Sequence, residues 1–325
     1  MTTSAFARTR RPASPAASAA FQAPPTQTAD WAIHEFAQAQ MADQRHRPRL
    51  QRIATAFAQR PTAPIPQACP NRAEAKATYR FFENDAIDPR AIRQAHHRAT
   101  HQRVARHPVV LAVQDTTALN YSTHPKTRGL GLLGSHSPKT IGLLLHSTLA
   151  LTPAGQPLGF LHNAVRARRR RGVAAQRHRR KLAQKESYKW IESLSACQAL
   201  APQCPHTTLV NVTDREGDLY ELFVQALRVP AESRVPLLVR ARHDRQLADA
   251  DRTLWPAVGR QRVAATLSVL VGRRGDQPRR IAQLNIRFCA VQLQAPQRQA
   301  GQPPIQVWAI EARESRAPHG SAPIL

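Results

Sequence analysis

The sequence predicts a mixed α/β chain with a helical region near its start and an antiparallel β region towards its end. Three observations support this prediction. Apolar residues recur at helical spacing within residues 30–107, as in helices with one buried face. In residues 108–243, short apolar runs alternate with helical stretches. The apolar runs predict buried strands, and this alternation is typical of layered α/β folds. From residue 244 to 311 apolar and polar residues alternate, which indicates antiparallel strands with one buried face.

The composition indicates an intracellular protein with a polyanionic partner. The 325 residues suffice for two domains, and 47 Lys and Arg against 21 Asp and Glu give a formal charge of +26. Such an excess favours nucleic acid, because neutralised phosphates release bound counterions. A basic surface without a specific partner is the alternative. The four cysteines form no CxxC pair, which argues against zinc and a disulfide framework. No apolar run approaches the ~18 residues of a membrane span.

Composition and pattern divide the chain into five parts. The first is rich in Ala, Pro and Ser and is expected to be disordered. The five parts are a tail at residues 1–29, a helical N-terminal DNA-binding domain at 30–107, an α/β core at 108–243, a β insertion at 244–311 and a terminal segment at 312–325.

The N-terminal domain is predicted to bind DNA through a basic helix. Asp30 is placed as the cap of a first helix, and a second amphipathic helix carries Leu50 and Phe57 on its apolar face. Arginines surround that second helix, and an apolar face with an Arg-rich face suits a small DNA-binding unit. These predicted DNA-binding residues are Arg45, Arg49 and Arg52. A solvated basic face on a structural helix is the alternative.

Prolines and helix-capping residues define the rest of this domain. Residues 61–70 are proline-rich and predict a linker. Asn71 and Glu74 form a capping-box pattern for a third helix. Asp88 followed by Pro89 is typical of a helix start.

The core is organised around residues 109–121, a Val-rich run that contains Asp115. We expect a buried strand, because β-branched residues pack well on a pleated surface. Asp115 then lies at the carboxyl end of the strand, where open α/β sheets place their functional residues. The alternative is that Asp115 only caps a turn.

The remaining predicted elements of the core follow in order along the chain. Residues 142–151 and 157–165 are predicted to form a β-hairpin, and a basic block at 166–181 follows it. After a helix at 186–200 come a strand that ends in Asp214 and, after a second helical stretch, a strand at 235–242 that ends in Arg240 and Arg242.

This order of elements is the one expected of a ribonuclease-H-like sheet. In that topology the first and fourth strands lie side by side and parallel, so Asp115 and Asp214 emerge at the same edge. Two neighbouring carboxylates repel each other unless a cation lies between them, and Mg²⁺ prefers hard oxygen ligands. Two such ions about 4 Å apart activate water and stabilise the leaving oxygen of a phosphodiester. The sequence therefore predicts a Mg²⁺ (or Mn²⁺) site at Asp115 and Asp214.

Other motifs are weaker. His34 and Glu35 match the first two residues of the HExxH motif of zinc proteases, but residue 38, where that motif requires a second histidine, is glutamine. His97 and His101 have helical spacing but no acidic partner and are expected on the surface. No GxxxxGK[ST] loop is present, which argues against ATP use.

The chain resembles the cut-and-paste DDE transposases of bacterial insertion sequences, in the insertion-sequence-four group and especially its Tn-five-like branch. The resemblance spans residues 30–325, and VQDTT together with TDREGD is its most specific feature. Its other features are residues 129–136 and the hairpin after them. The motifs are EAKATYRFF at 74–82 with Asn84 following, VQDTTAL at 113–119, ESYKW at 186–190 and TDREGDLY at 213–220.

The resemblance implies an end-reading DNA-binding domain, a ribonuclease-H-like catalytic core with a β insertion, and a bacterial cytoplasmic, nucleoid-associated location. Asp115 and Asp214 match the first two members of the acidic triad, and Arg240 and Arg242 match residues that hold DNA phosphates. The third acid belongs to a Tyr-x-x-Arg-x-x-x-Glu motif that this sequence lacks. We therefore expect an incomplete core and a truncated end at 312–325.

Two functions follow from these observations. The first is a DNA transposase that acts on double-stranded transposon ends as a homodimer and has no membrane partner. We expect this chain to be a truncated, inactive copy of it. The second is a non-enzymatic DNA-binding remnant that inhibits full-length transposase. An RNA-binding role ranks lower, because aromatic residues are only 5% of the chain and no stacking motif is present.

Overall fold

The structure, a computed structural model, describes residues 28–124, 126–133, 140–168, 182–249, 252–273 and 278–317. The chain divides into two units, of which the first ends at Asp88 and the second begins at Pro89. The mixed α/β class and the helical N-terminal region are confirmed. Nearly all of the predicted tail, most of the basic block and the last eight residues of the chain lie outside the described residues.

From residue 28 onward, where its description starts, the first unit consists of four helices, α1 (Thr28–Glu35), α2 (His46–Gln59), α3 (Ile65–Ala68) and α4 (Arg72–Glu83). Leu50 and Ile53 of α2 and Phe81 of α4 are buried in its core. Two predictions need correction. Helix α1 begins before Asp30, so this residue does not precede it, and the proline-rich segment contains α3, because proline fits the first turn of a helix.

Within the residues that the structure describes, the second unit contains four α-helices and nine strands. The helices are α5 (Pro89–Val104), α6 (Tyr188–Leu200), α7 (Tyr220–Leu227) and α8 (Leu254–Gly259). The strands are β1 (Val109–Asn120), β2 (Gly131–Leu132), β3 (Ile141–Leu151), β4 (Pro157–Arg166), β5 (Thr208–Thr213), β6 (Leu237–Val239), β7 (Ala265–Val271), β8 (Arg280–Leu293) and β9 (Ile305–Glu314).

Helix α5 belongs to the second unit and not to the N-terminal domain in which the sequence analysis placed it. It starts at Pro89 as predicted, but it packs on β4. The amide of Phe160 donates to His96 Nε2 over 2.9 Å, and Arg103 Nε donates to the carbonyl of Leu158. The boundary therefore moves from residue 107 to residue 88.

Strand β1 lies at the centre of a six-stranded mixed sheet. It pairs antiparallel with β3 and parallel with β5, and β5 pairs parallel with β6. Strands β2 and β4 both pair antiparallel with β3, which confirms the predicted β3–β4 hairpin. The predicted strand at 235–242 is shorter than expected. Its regular pairing stops at Val239, because the amide of Arg242 bonds the Asp218 carboxylate and not β5.

Helix α6 covers one face of this sheet. Its residues Trp190, Leu194 and Cys197 are fully buried and form one core with Val110 and Ala112 of β1. This helix lies within the stretch at 186–200 that was predicted to be helical. The prediction that Asp115 lies at the carboxyl end of its strand is wrong, because β1 continues past Asp115 along β3 to Asn120. Asp115 instead lies just beyond the carboxyl end of the β1–β5 pairing, which stops at Val113.

Strands β7, β8 and β9 form a separate antiparallel sheet, which agrees with the predicted β region. Leu254 and Val258 of α8, a helix that the alternating pattern did not predict, pack on Val291 and Leu293. Phe288, Trp308 and Ile310 are exposed on the opposite face. None of the helices in the described part of the chain combines the length and apolar character needed to cross a membrane.

Candidate nucleic-acid interface and carboxylate edge

The predicted DNA-binding arginines of the first unit differ in how they are held. Arg49 pairs with Glu74, and both side chains are largely buried. The Arg45 guanidinium is highly exposed and donates two hydrogen bonds to the Asp43 carboxylate. These hydrogen bonds lower the pKa of Asp43 to about 2. Arg52 is exposed, with no ion pair among the described residues. Arg49 therefore joins α2 to α4, whereas Arg52 is available to a partner.

Helix α4 carries an exposed basic face that the sequence analysis missed. Arg72, Lys76 and Arg80 follow one another at a spacing of four, and Tyr79, which is 44% exposed, lies beside them. We call these four residues the α4 face. Glu83 is a single acid on the same side. The i, i+4 spacing of the three cations was a readable signal, because such residues share one side of a helix.

The start of α4 is fixed by its predicted cap. Asn71 Oδ1 accepts the amide of Glu74 over 2.9 Å, which confirms the capping prediction. Opposite the exposed side, Ala75, Thr78 and Phe81 are buried. A rigid helix that presents Arg, Lys and Tyr to solvent suits contact with phosphates and base edges in a major groove.

In the second unit, strand pairing brings Asp115 and Asp214 to neighbouring positions. The last β1–β5 pair is Val113 with Val212, and each aspartate lies two residues beyond its valine. Because residues two apart in a strand share a face, the two aspartates lie on the same side of the sheet. Both are exposed.

Arg240 lies next to Asp214 in the same row. The last β5–β6 pair is Thr213 with Val239, and the amide of Arg240 donates to the Thr213 carbonyl over 3.1 Å. We call the row of Asp115, Asp214 and Arg240 the carboxyl edge. Arg240 and Arg242 are both exposed, as expected of residues that contact a ligand.

The two aspartates differ in what holds their side chains. Asp214 Oδ1 accepts the amide of Glu216 over 2.8 Å at the start of a tight turn. For Asp115, no side-chain hydrogen bond joins it to another described residue. The Lys189 ammonium is buried and lies 3.5 Å from Glu216 Oε2, so a positive charge lies against the turn that follows Asp214.

Asp218 positions the segment after β6 and was not singled out from the sequence. Its buried carboxylate accepts the amides of Arg242 and His243 over 2.7 and 3.0 Å, and it pairs with Arg245. The second aspartate of TDREGDLY was the available signal. This contact directs the chain away from β5 just beyond Arg240.

The described residues contain no group of three His, Cys, Asp or Glu side chains placed to hold a metal ion. The carboxyl edge therefore presents two carboxylates, whose oxygens are the hard donors that Mg²⁺ and Mn²⁺ prefer.

Comparison with known families adds one finding, on the first unit. Residues 28–87 match the family model described as transposase DNA-binding, and this match supports a DNA-binding role and a relation of the chain to transposases.

Proposed function

We propose that this chain is a DNA transposase of the cut-and-paste type, of the insertion-sequence-four group and its Tn-five-like branch. Its first unit reads the transposon end, and its carboxyl edge serves metal-dependent phosphoryl transfer. The observation that carries the proposal is the parallel β1–β5 pairing, which brings Asp115 and Asp214 together from distant parts of the chain. The transposase DNA-binding match supports DNA as the partner.

The strand arrangement supports a ribonuclease-H-like core in this proposal. Strands β4, β3 and β1 are antiparallel neighbours, and β5 and β6 continue from β1 in parallel. In such a sheet the carboxyl ends of the first and fourth core strands hold the catalytic acids. A homodimer on DNA, which would hold two ends at once, is part of the proposal.

Asp115 and Asp214 would hold the Mg²⁺ or Mn²⁺ ion. Their exposure on one side of the sheet and their oxygen donors fit such an ion. When bound, the ion polarises the phosphoryl oxygen and lowers the pKa of a bound water. Arg240 and Arg242 would hold DNA phosphates beside it, since guanidinium groups bind phosphate oxygens in a bidentate manner.

The metal site is tested by titration of the full chain with Mn²⁺. We expect saturable binding that is lost in the Asp115→Asn, Asp214→Asn double variant, because an amide lacks the charge that attracts the ion. Glu232→Gln, at an exposed acid in the turn that precedes the amino end of β6, is the control and should bind as the unmodified chain. Binding that survives in the double variant would place the ion elsewhere.

A second candidate is a DNA-binding remnant that does not cut and that inhibits intact transposase. The two acids of β9 favour it, because Glu311 pairs with Arg287 and Glu314 with Arg280 within the three-stranded sheet. Those carboxylates are committed to structural ion pairs. Two carboxylates at the carboxyl edge suffice for one ion, whereas in-line phosphoryl transfer commonly uses two.

A labelled transposon-end duplex with Mn²⁺ separates the two candidates. The second candidate predicts that the chain binds this duplex without nicking it. Specific nicking that disappears in Asp115→Asn would instead establish the enzyme. Binding is measured on the same samples by gel shift.

A further inference from the structure

The imidazole of His146 is bonded to both residues that flank Asp115. His146 Nε2 lies 3.1 Å from Gln114 Oε1, and His146 Nδ1 lies 2.8 Å from Thr116 Oγ1. Burial holds the pKa of His146 near 3, so the ring is neutral at ordinary pH. The amide oxygen of Gln114 only accepts, so Nε2 carries the proton and the Thr116 hydroxyl donates to Nδ1.

The same hydrogen-bonded chain continues to the second acid strand. Gln114 Nε2 donates to Asn211 Oδ1 over 2.8 Å, and Asn211 lies three residues before Asp214. Gln114, His146 and Asn211 are at most 2% exposed. The His146 ring also contacts Trp190 edge to face, with centroids 4.7 Å apart. A buried polar chain of this kind holds its members in one arrangement, because breaking any bond leaves a buried polar group without a partner.

The position of Asp115 depends on this arrangement. Its carboxylate has no side-chain hydrogen bond to another described residue, so the backbone of β1 alone sets where it lies. That backbone is tied to β3 through His146 on both sides of Asp115 and to β5 through Gln114. The hydrogen-bonded residues themselves take no part in the proposed chemistry; they are Gln114, Thr116, His146 and Asn211.

We propose that His146 is a positioning residue that, through Gln114 and Thr116, sets the placement of Asp115 against Asp214 and so the affinity of the carboxyl edge for a divalent ion. This inference rests on the proposed function, because it presumes that the two aspartates bind the ion. Outer partners of metal ligands commonly change metal affinity by about 10- to 100-fold when they are removed.

The test compares isosteric changes on the full chain, with Mn²⁺ binding followed by electron paramagnetic resonance of the free ion. Thr116→Val removes one bond to His146, and Thr116→Ser keeps the hydroxyl. We expect Thr116→Val to weaken binding by about tenfold and Thr116→Ser to restore it. His146→Phe, which keeps an aromatic ring against Trp190, should weaken binding further.

Thr148→Val is the matched control on β3. Thr148 is fully buried on the same face as His146, and its hydroxyl has no partner among the described residues. This variant should therefore bind Mn²⁺ as the unmodified chain does. Equal Mn²⁺ affinity of Thr116→Val and the unmodified chain would overturn the inference and leave the proposed function intact. Absence of Mn²⁺ binding by the unmodified chain would overturn both.

Discussion

Arg49 and Lys76 show how burial separates two roles for the same charge at the scale of one residue. Both are cations of the first unit, and both lie on helices with exposed basic positions. The Arg49 guanidinium is paired with Glu74 and largely buried, so it stabilises the packing of α2 on α4. The Lys76 side chain is exposed on the α4 face. Only the second arrangement leaves the charge free for a phosphate.

Substitutions on the α4 face test this distinction through the salt dependence of DNA binding. Lys76→Ala and Arg80→Ala should each weaken binding and each reduce the slope of log K against log salt by about 0.9, the value for one phosphate contact. Arg49→Met should leave the slope unchanged and lower stability, because Glu74 loses its partner. The measurement is fluorescence anisotropy with duplex DNA at several salt concentrations. An unchanged slope in both alanine variants would exclude the α4 face from the interface.

At the scale of the element, α4 depends on one capping side chain. Asn71 accepts the Glu74 amide, and Glu74 in turn pairs with Arg49. The cap thus fixes both the first turn of α4 and the residue that joins it to α2. Loss of the cap would leave that amide without its partner in the first turn.

Asn71→Ala should lower the free energy of unfolding by about 1 kcal/mol, the usual cost of losing such a cap. Asn71→Ser is the matched variant and should retain most of the stability, since its hydroxyl also accepts an amide. The measurement is urea unfolding of the full chain followed by far-ultraviolet circular dichroism. Equal midpoints for the alanine and serine variants would show that the cap is not needed.

At the scale of the whole molecule, one buried and three partly buried histidines make stability depend on pH. Desolvation by burial lowers the pKa of His97, His101, His146 and His162, that of His146 to about 3. The unfolded chain therefore binds more protons than the folded chain below the ordinary histidine pKa of about 6.5. This contribution to stability is complete above that pH and decreases as the pH falls.

We accordingly expect the free energy of unfolding to vary little between about pH 7 and pH 8 and to decrease between about pH 6.5 and pH 5. Urea unfolding at a series of pH values measures this dependence. His146→Phe should show a weaker decrease, because it removes one of the four groups. A stability that rises on acidification through this range would contradict the assignment of buried neutral histidines.

Much of the second unit could be predicted from local pattern. The Val-rich run around Asp115, the β3–β4 hairpin, helix α6 and the alternating β region all lie close to their predicted positions. In these stretches, side-chain periodicity and burial agree, so the pattern reports the packing directly. The cap at Asn71 and the start of α5 at Pro89 were equally readable, because capping chemistry is local.

Long-range contacts decided what local pattern missed. Helix α5 was assigned to the wrong unit, since nothing in its own sequence records that its His96 would meet β4. The strand predicted at 235–242 ends early, because the carboxylate of Asp218, distant in sequence, accepts hydrogen bonds from the amides of Arg242 and His243. The roles of Arg49 and Lys76 were likewise set by their neighbours in space.

The sequence by itself therefore determined the class of the fold, the basic character of the chain and the two acids that follow apolar strands. Only the tertiary structure decided that those acids share one side of a sheet with Arg240, and that His146 holds both neighbours of Asp115. The physical reason is that strand register and buried hydrogen bonds join residues far apart in the chain, whereas periodicity and capping act over a few residues.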